Sequence, residues 1–190
     1  MKKLENYILE NGKVINGEIL KVDTFLNHQV DPQIMDSIGE EFYHYFKKYP
    51  INKVVTIETS GIAPALMCAL RFQVPMVFIK KAIPSTMGAA YSTEVFSFTK
   101  NKTYQISVSK EFIHKDDHIL FIDDFLANGE AFAGVEKICQ EAGATIDGVG
   151  IVIDKIFQKG HNAIKEKGYD IYSLAMIESL GNDSIVFKKQ

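Results

Sequence analysis

Asp123 and Asp124 are adjacent carboxylates, followed after a three-residue connector by Asn128-Gly129 and then Glu130, all within ILFIDDFLANGEA (Ile119 to Ala131). Neighbouring acids of this kind can bind hydroxyls or hold a metal that bridges phosphate oxygens. Asn-Gly permits a tight turn at positive φ, so backbone N–H groups can converge on an anion. The run Ile119, Leu120, Phe121, Ile122 is apolar without alternation, as a buried parallel strand should be. It puts the acids at the carboxyl end of a strand, where open α/β sheets place their ligands. From Glu130 onward, Phe132, Val135, Ile138, Cys139 and Ala142 fall at helical spacing, and Gly143 stops the helix. Strand, acid pair, glycine turn and helix N-terminus suit a phosphate flanked by hydroxyls or a metal.

The rest of the chain supplies the frame for this segment. Strands alternate with helices, the pattern of an α/β fold with a parallel sheet. Asp31-Pro32 reads as a helix cap and first position, with Ile34, Ile38, Phe42 and Phe46 carrying an apolar face as far as Tyr49. Lys53 to Ile57 and Pro75 to Ile79 read as buried strands, with a small-residue helix from Ala63 to Phe72 between them. Residues 80 to 103 lose periodicity around Pro84, Ser85 and Gly88; we expect an excursion that folds back as a hairpin over the site, with arms Val95 to Phe98 and Tyr104 to Val108. Ile146 to Ile153 is a further strand, and Tyr169 to Ile177 an edge strand. Neither a repeat nor a linker divides the chain, so one domain over residues 1–190 is expected.

Other segments admit two readings from their residues alone. Glu58-Thr59-Ser60-Gly61-Ile62 follows a strand and precedes a helix: it is either a capped βα connection or a nest for a diphosphate. Lys80-Lys81, after the next strand, is either a solvated basic pair or a neutralising charge for a departing anion. Lys155 and Phe157 can be a surface lysine and a core ring, or a donor and a stacking ring for a planar base; they share a side only if their strand continues. Leu20 and Asn27 can be packing and a turn amide. His114 and His118 flank Asp116-Asp117 in a polar approach to the central strand, a surface arrangement rather than metal-ligand spacing.

Composition narrows the function classes. A formal charge of −3, with 46% hydrophobic and 24% charged residues, describes an ordinary soluble domain with no basic stripe for nucleic acid. The two cysteines, Cys68 and Cys139, fall on apolar helix faces and read as buried thiols. MKKLENYILENG has a basic start but no sustained apolar core, and no run approaches the ~20 apolar residues of a membrane span. A cytoplasmic protein is expected.

Three segments in this order, LKVDTFLNHQ from Leu20, TSGIAPA from Thr59 and IDDFLANG from Ile122, resemble the type I phosphoribosyltransferases over roughly Leu4 to Phe187, and within them the bacterial branch acting on xanthine. The resemblance implies a mostly parallel sheet flanked by helices, a small hood (about residues 1–30 with the C-terminal segment) and a flexible loop at about 81–104. It implies that Ala127, Asn128, Gly129, Glu130 and Ala131 bind 5-phosphoribosyl 1-diphosphate, that Thr59, Ser60, Gly61 and Lys81 hold its pyrophosphate, and that Asp123 and Asp124 are catalytic. Leu20, Asn27, Lys155 and Phe157 would contact xanthine. It further implies Mg²⁺ bound with the diphosphate rather than in a protein cage, and a homodimer in which Lys81 reaches the neighbouring site, with no nucleic-acid or membrane partner. Enzymes acting on hypoxanthine and guanine carry an additional aspartate in the phosphate loop; Ala127 stands in that place here. A hypoxanthine or guanine transferase, and a non-catalytic regulator that senses the diphosphate, are the alternatives.

Overall fold

The computed structural model of the chain describes residues 1–83, 88–97, 102–182 and 184–189. Helix α1 (Lys2–Asn11) is followed by a small hairpin, β1 (Lys13–Ile15) and β2 (Ile19–Lys21), turned through Asn16 and Gly17 at positive φ. A π-helical turn, Asp23–Asn27, leads to α2 (Pro32–Phe46). Asp31 caps α2 as expected, its carboxylate accepting the N–H groups of Gln33 (2.9 Å) and Ile34 (3.2 Å). The helix stops at Phe46 rather than at Tyr49: the Tyr49 N–H closes a shorter turn onto the Phe46 carbonyl, and its hydroxyl leaves to donate to Asp170 (2.7 Å).

The central layer is built from β3 (Lys53–Ile57), α3 (Ile62–Phe72), β4 (Met76–Ile79), a hairpin of β5 (Ala90–Ser97) and β6 (Lys102–Ser109), β7 (His118–Leu126), α4 (Glu130–Ala142), β8 (Thr145–Lys155), α5 (Gly160–Glu166), β9 (Ile171–Gly181) and β10 (Ser184–Phe187). Six strands form one sheet in the order β10-β9-β8-β7-β3-β4, all parallel except β10. The expected edge at Tyr169 to Ile177 is therefore corrected: β9 runs on to Gly181 and is interior, because β10 pairs antiparallel along its outer side. The four residues of β10 are too few, and too evenly half-exposed, to announce themselves.

Both sheet faces are covered, which explains the unalternated apolar run of β7. Leu120 and Ile122 join the core under α1, α2 and α3, while Ile119 and Phe121 join the core under α4 and the β5–β6 hairpin. Cys68 and Cys139 are buried in these two layers, and burial pushes both thiols up to about 12. The hairpin arms are longer than expected, pairing from Ala90↔Ser109 to Ser97↔Lys102; Pro84, Ser85 and Phe98 lie outside the described residues. The hairpin packs on α4 at Gly134, where a Cβ would come within 2.5 Å of Val95 Cγ2. It is stitched to β4 by reciprocal Lys80–Ser107 backbone bonds of 2.9 Å. His118 Nδ1 lies 2.8 Å from Asp147 at the amino end of the sheet, opposite the carboxyl ends that build the site.

Candidate active site

Strands β3, β4 and β7 run parallel, so the connections leaving their carboxyl ends gather on one edge of the sheet. There they enclose a cavity of about 160 Å³. The loop after β3 contributes Glu58, Thr59 and Ser60; the segment after β4 contributes Lys81; β7 contributes Asp123 and Asp124; and Ala131 enters from the first turn of α4. Tyr104 of β6 closes the remaining side.

β7 extends to Leu126, so the acids sit within its last residues rather than beyond it. Asp123 Oδ1 accepts the Asp124 N–H at 3.0 Å, which orients the first carboxylate. Burial holds the Asp123 carboxyl well above the usual carboxylate range, and the neighbouring Asp124 charge pushes it further; Asp124 is also raised by burial. The Lys81 ammonium acts in the opposite sense on both. Burial, followed by the Asp123 charge, raises Tyr104 as well. A pair of carboxylates so held is under-compensated, and is prepared for a cationic centre entering or forming in the cavity.

The turn Ala127 to Gly129, expected as a phosphate cradle, is shaped by two glycines. Gly129 has φ 89°, the left-handed conformation its Asn-Gly context predicts, and caps the start of α4. The N–H groups of the first turn of α4 have no intrahelical acceptor, as at any helix start. Behind this turn stands Gly160, whose N–H donates to the Ala127 carbonyl at 3.0 Å. A Cβ on Gly160 would meet that oxygen at 2.5 Å and the Gly129 nitrogen at 2.9 Å. On the flank of the same helix start, Asn128, Gly129 and Glu130 border a second hollow of about 170 Å³ with Lys159 and Lys167, the latter ion-paired with Glu136.

The loop after β3 is fastened from two directions. Glu58 Oε1 accepts the Lys81 N–H at 2.6 Å, which ties this loop to the segment after β4. The Glu58–Thr59 peptide is cis. Gly61 has an ordinary helical φ of −69°, so its backbone would tolerate a side chain, but a Cβ there would lie 2.2 Å from Thr56 Oγ1 and 3.3 Å from Asp123 Oδ1. Gly61→Ala is therefore expected to force the loop away from the acids, lowering stability by about 1–3 kcal/mol, the usual range for overpacking, and lowering activity with it. Thermal denaturation checks this; an unchanged Tm would show that the close approach is not needed.

The base-side residues are less tightly gathered. β8 ends at Lys155 and a turn follows, closed by the Gln158 N–H on the Lys155 carbonyl (2.8 Å), so Phe157 reaches its place through that turn and not by strand alternation. Lys155 Nζ donates to the Glu18 carbonyl at 3.2 Å, which brings the β1–β2 turn over the end of β8. Burial pulls the Lys155 ammonium below its ordinary range, partly offset by Glu18. Phe157 is 48% exposed and borders a hollow of about 440 Å³ with Gly17, Glu18 and Glu178. Leu20 is buried in the hairpin, and Asn27 stands exposed at the end of the π-helical turn. Lys81, expected to reach a neighbouring subunit, lines the cavity of its own chain.

Sequence reasoning passed over Glu58 as a ligand-side residue, and over Tyr104, Lys159 and Gly160. Glu58 lay inside a singled-out loop and could have been found. Tyr104 opens an arm expected over the site but was not singled out; Lys159 and Gly160 reach the site only through tertiary packing, and no local pattern marks them.

Beside Lys81, the polar side chains lining the cavity are oxygen donors (Glu58, Thr59, Ser60, Tyr104, Asp123 and Asp124), and among the described residues no three His, Cys, Asp or Glu side chains cluster as a metal cage. The donor set fits Mg²⁺ arriving on substrate phosphates, with one or two carboxylates at most.

Comparison with known proteins places these features in context. No family model matches the chain. The xanthine phosphoribosyltransferase of Finegoldia magna is 51% identical over 189 residues, covering 99% of this chain and 100% of its own. The enzyme of the same name from Clostridium acetobutylicum is 53% identical over 188 residues, covering 98% and 100%. Among solved structures, the adenine phosphoribosyltransferase of Thermoanaerobacter pseudethanolicus superposes with a TM-score of 0.75 at 20% identity, covering 91% of this chain and 99% of that one. That of Leishmania tarentolae gives 0.76 at 15% identity, covering 95% and 90%. These last two likenesses carry the fold alone.

Proposed function

The chain belongs to the xanthine phosphoribosyltransferases, on the type I phosphoribosyltransferase fold, and from that premise we propose that it transfers the 5-phosphoribosyl group of 5-phosphoribosyl 1-diphosphate to N9 of xanthine. The products are xanthosine 5′-monophosphate and pyrophosphate, a purine-salvage reaction. One observation carries this reading: the acid pair, the Thr59-Ser60 loop, Lys81 and the start of α4 converge on one cavity.

In this reading the xanthine anion attacks C1′ through N9, its proton having gone to solvent beforehand, while the C1′–oxygen bond breaks and its electron pair leaves with pyrophosphate. Xanthine is comparatively acidic, so no base is required where Ala127 stands. Asp123 and Asp124 bind ribose hydroxyls and stabilise the positive charge at C1′. The cradle from Ala127 to Ala131 binds the 5′-phosphate on backbone N–H groups. Thr59, Ser60 and Gly61 hold the diphosphate, and Lys81 opposes the charge of the departing pyrophosphate. Mg²⁺ bound to the diphosphate would neutralise its charge, with the acid pair and the Thr59 and Ser60 hydroxyls as the oxygen donors at hand. The whole chain acts as one domain, its first ~30 residues with the C-terminal segment forming a hood, in keeping with a fold of this size; of the loop expected at about 81–104, Ala90–Ser97 and the residues from Lys102 belong to the β5–β6 hairpin. Among the described residues no helix is long and apolar enough to cross a membrane; a cytoplasmic homodimer belongs to the same proposal.

Product formation from labelled xanthine, hypoxanthine, guanine and adenine, offered in competition, tests the assignment. Xanthine should dominate, and preference for hypoxanthine or guanine would overturn it. Two substitutions test the base contacts. Lys155→Ala should weaken every oxopurine, since all carry the 6-oxygen that its ammonium would meet. Asn27→Ala should hurt xanthine selectively, because hypoxanthine lacks the 2-oxygen. A buried partner left unpaired costs about 1–3 kcal/mol, so the preference ratio should change about tenfold or more. Equal weakening of both bases by Asn27→Ala would move the specificity argument to Leu20 and the backbone around Lys155.

A further inference from the structure

Asp154 is fully buried (0% exposed) at the carboxyl end of β8, immediately before Lys155. Its Oδ2 is held by two groups, Nδ1 of His161 and the hydroxyl of Ser173, each at 2.6 Å, while Oδ1 has no hydrogen-bond partner among the described residues. A buried carboxylate with an unsatisfied oxygen costs stability compared with an apolar side chain of similar size. Nothing in the packing of β8 asks for one, since Ile151, Val152 and Ile153 before it are all apolar and buried.

Its surroundings suggest what it does. Across the sheet Asp154 pairs with Leu126, the residue before Ala127, on one side and with Met176 on the other. His161 directly follows Gly160, whose N–H holds the Ala127 carbonyl and whose Cα lies against Gly129, 3.3 Å from where a Cβ would stand. The loop entering α5 is anchored by the Ile156 N–H on the Ile177 carbonyl (3.0 Å) and the Gln158 N–H on the Lys155 carbonyl (2.8 Å). The His161 bond joins the first turn of α5 itself to the end of β8, beside the buried Ile164 and the Gly160–Ala127 bond.

We propose that Asp154 and His161 form a positioning pair that registers the phosphate cradle against the base-side lysine. Asp154 fixes the strand end that presents Lys155. Through His161 it also fixes the start of α5, and hence Gly160 and the turn Ala127 to Gly129. The two substrates of the transfer are thereby held at a set spacing, although neither side chain of the pair touches them. This rests on the reading of residues 127–131 as the phosphate cradle and of Lys155 as a base contact.

Steady-state kinetics on both substrates, with thermal unfolding alongside, test it with the wild-type chain and H161L, H161N and D154N. His161→Leu removes the donor and should raise KM for 5-phosphoribosyl diphosphate by about tenfold or more, as misplacement by a fraction of an ångström does. His161→Asn puts an amide N–H where Nδ1 stood and should return KM to within about threefold of wild type, because the bond and not the ring is what matters. Asp154→Asn, which keeps the shape but weakens the bond, should raise KM for both substrates. Wild-type KM values in H161L and D154N, with only a lower Tm, would overturn the pairing and leave the site assignment standing. If H161L fails to fold, D154N decides in the same way. A wild-type chain that binds the diphosphate but transfers to no purine would instead sink the function proposed above, and this inference with it.

Discussion

Asp123→Asn and Asp124→Asn are each expected to lower turnover by about 10²–10³-fold, the range seen when one preorganised electrostatic contact to a transition state is removed. Affinity for the base should change far less. In the proposed site the carboxylates face the ribose and not the purine, and their charge matters most when C1′ becomes cationic, so kcat should fall without a matching rise in KM for xanthine. Equal loss in both would make the pair structural. The pH profile gives an independent check. Burial raises both acids above the ordinary carboxylate value of ~4, and the charged forms are the useful ones. Activity of the free enzyme should therefore decline on the acid side at a pH above that value, and the limb should shift in the amide variants.

The same shift has a consequence for stability, of opposite sign. These carboxyls hold their protons more tightly folded than unfolded, so the folded state binds more protons as pH rises past the unfolded value, and ionising the pair works against folding. The penalty is fully present above the raised folded pKa and disappears below the unfolded one. Asp123→Asn should thus raise Tm at neutral pH, and the gain should vanish as pH falls towards ~4. The Asp123 Oδ1 bond to the Asp124 N–H survives in the amide, so nothing in the local geometry opposes this. A lower Tm at neutral pH would mean that the pair is already compensated in the free protein.

Much of this site was legible because its parts are contiguous. Ile119 to Gly143 contains a strand, its terminal acids, a glycine turn and a helix, and each announces itself by local chemistry: apolar continuity, paired charge, Asn-Gly, then period 3.6. The cap at Asp31-Pro32 and the strand Lys53 to Ile57 were readable for the same reason. The β5–β6 hairpin was half legible. Its arms were foreseen but their full length was not: in β5 the buried Val95 stands between Glu94 and the exposed Phe96, and in β6 the polar Ser107 is buried between Ile106 and Val108. What stayed hidden depends on through-space neighbours. β9 reads as an edge until a four-residue strand 184–187 is laid beside it. Tyr104 enters the cavity from a hairpin far along the chain, and Gly160 matters only because α5 folds its first residue against the loop after β7. The base side was the least legible, because Lys155 and Phe157 are set by a turn and by the hood hairpin, and not by the period of a strand.

Gly129→Val is expected to abolish transfer while the fold survives. Two independent constraints meet at this residue. Its φ of 89° lies where a β-branched side chain is a steric outlier, so valine would be strained whatever space surrounded it. The space is missing as well, since the first side-chain carbon would already stand 3.3 Å from the Gly160 Cα and point at backbone that cannot swing aside. Relief requires the turn Ala127 to Gly129 to open, and in the proposed site that turn aims the first N–H groups of α4 at the phosphate. The sheet and both apolar layers lie elsewhere, so unfolding should remain cooperative, with a Tm lowered by the strain of one residue, about 1–3 kcal/mol. Turnover should fall by much more than tenfold, because the cradle has no second set of donors to replace the one it loses. Activity above about a tenth of wild type, a change of ~1.4 kcal/mol or less, would sink the assignment of this turn to the phosphate. Gly129→Ala carries both constraints in their smallest form: its Cβ meets the unfavourable φ and the 3.3 Å contact with Gly160, without the branched carbons. If the Cβ itself is what the turn cannot hold, Gly129→Ala should fall nearer to valine than to glycine in KM for 5-phosphoribosyl diphosphate. If the branching is what opens the turn, alanine should recover most of the loss.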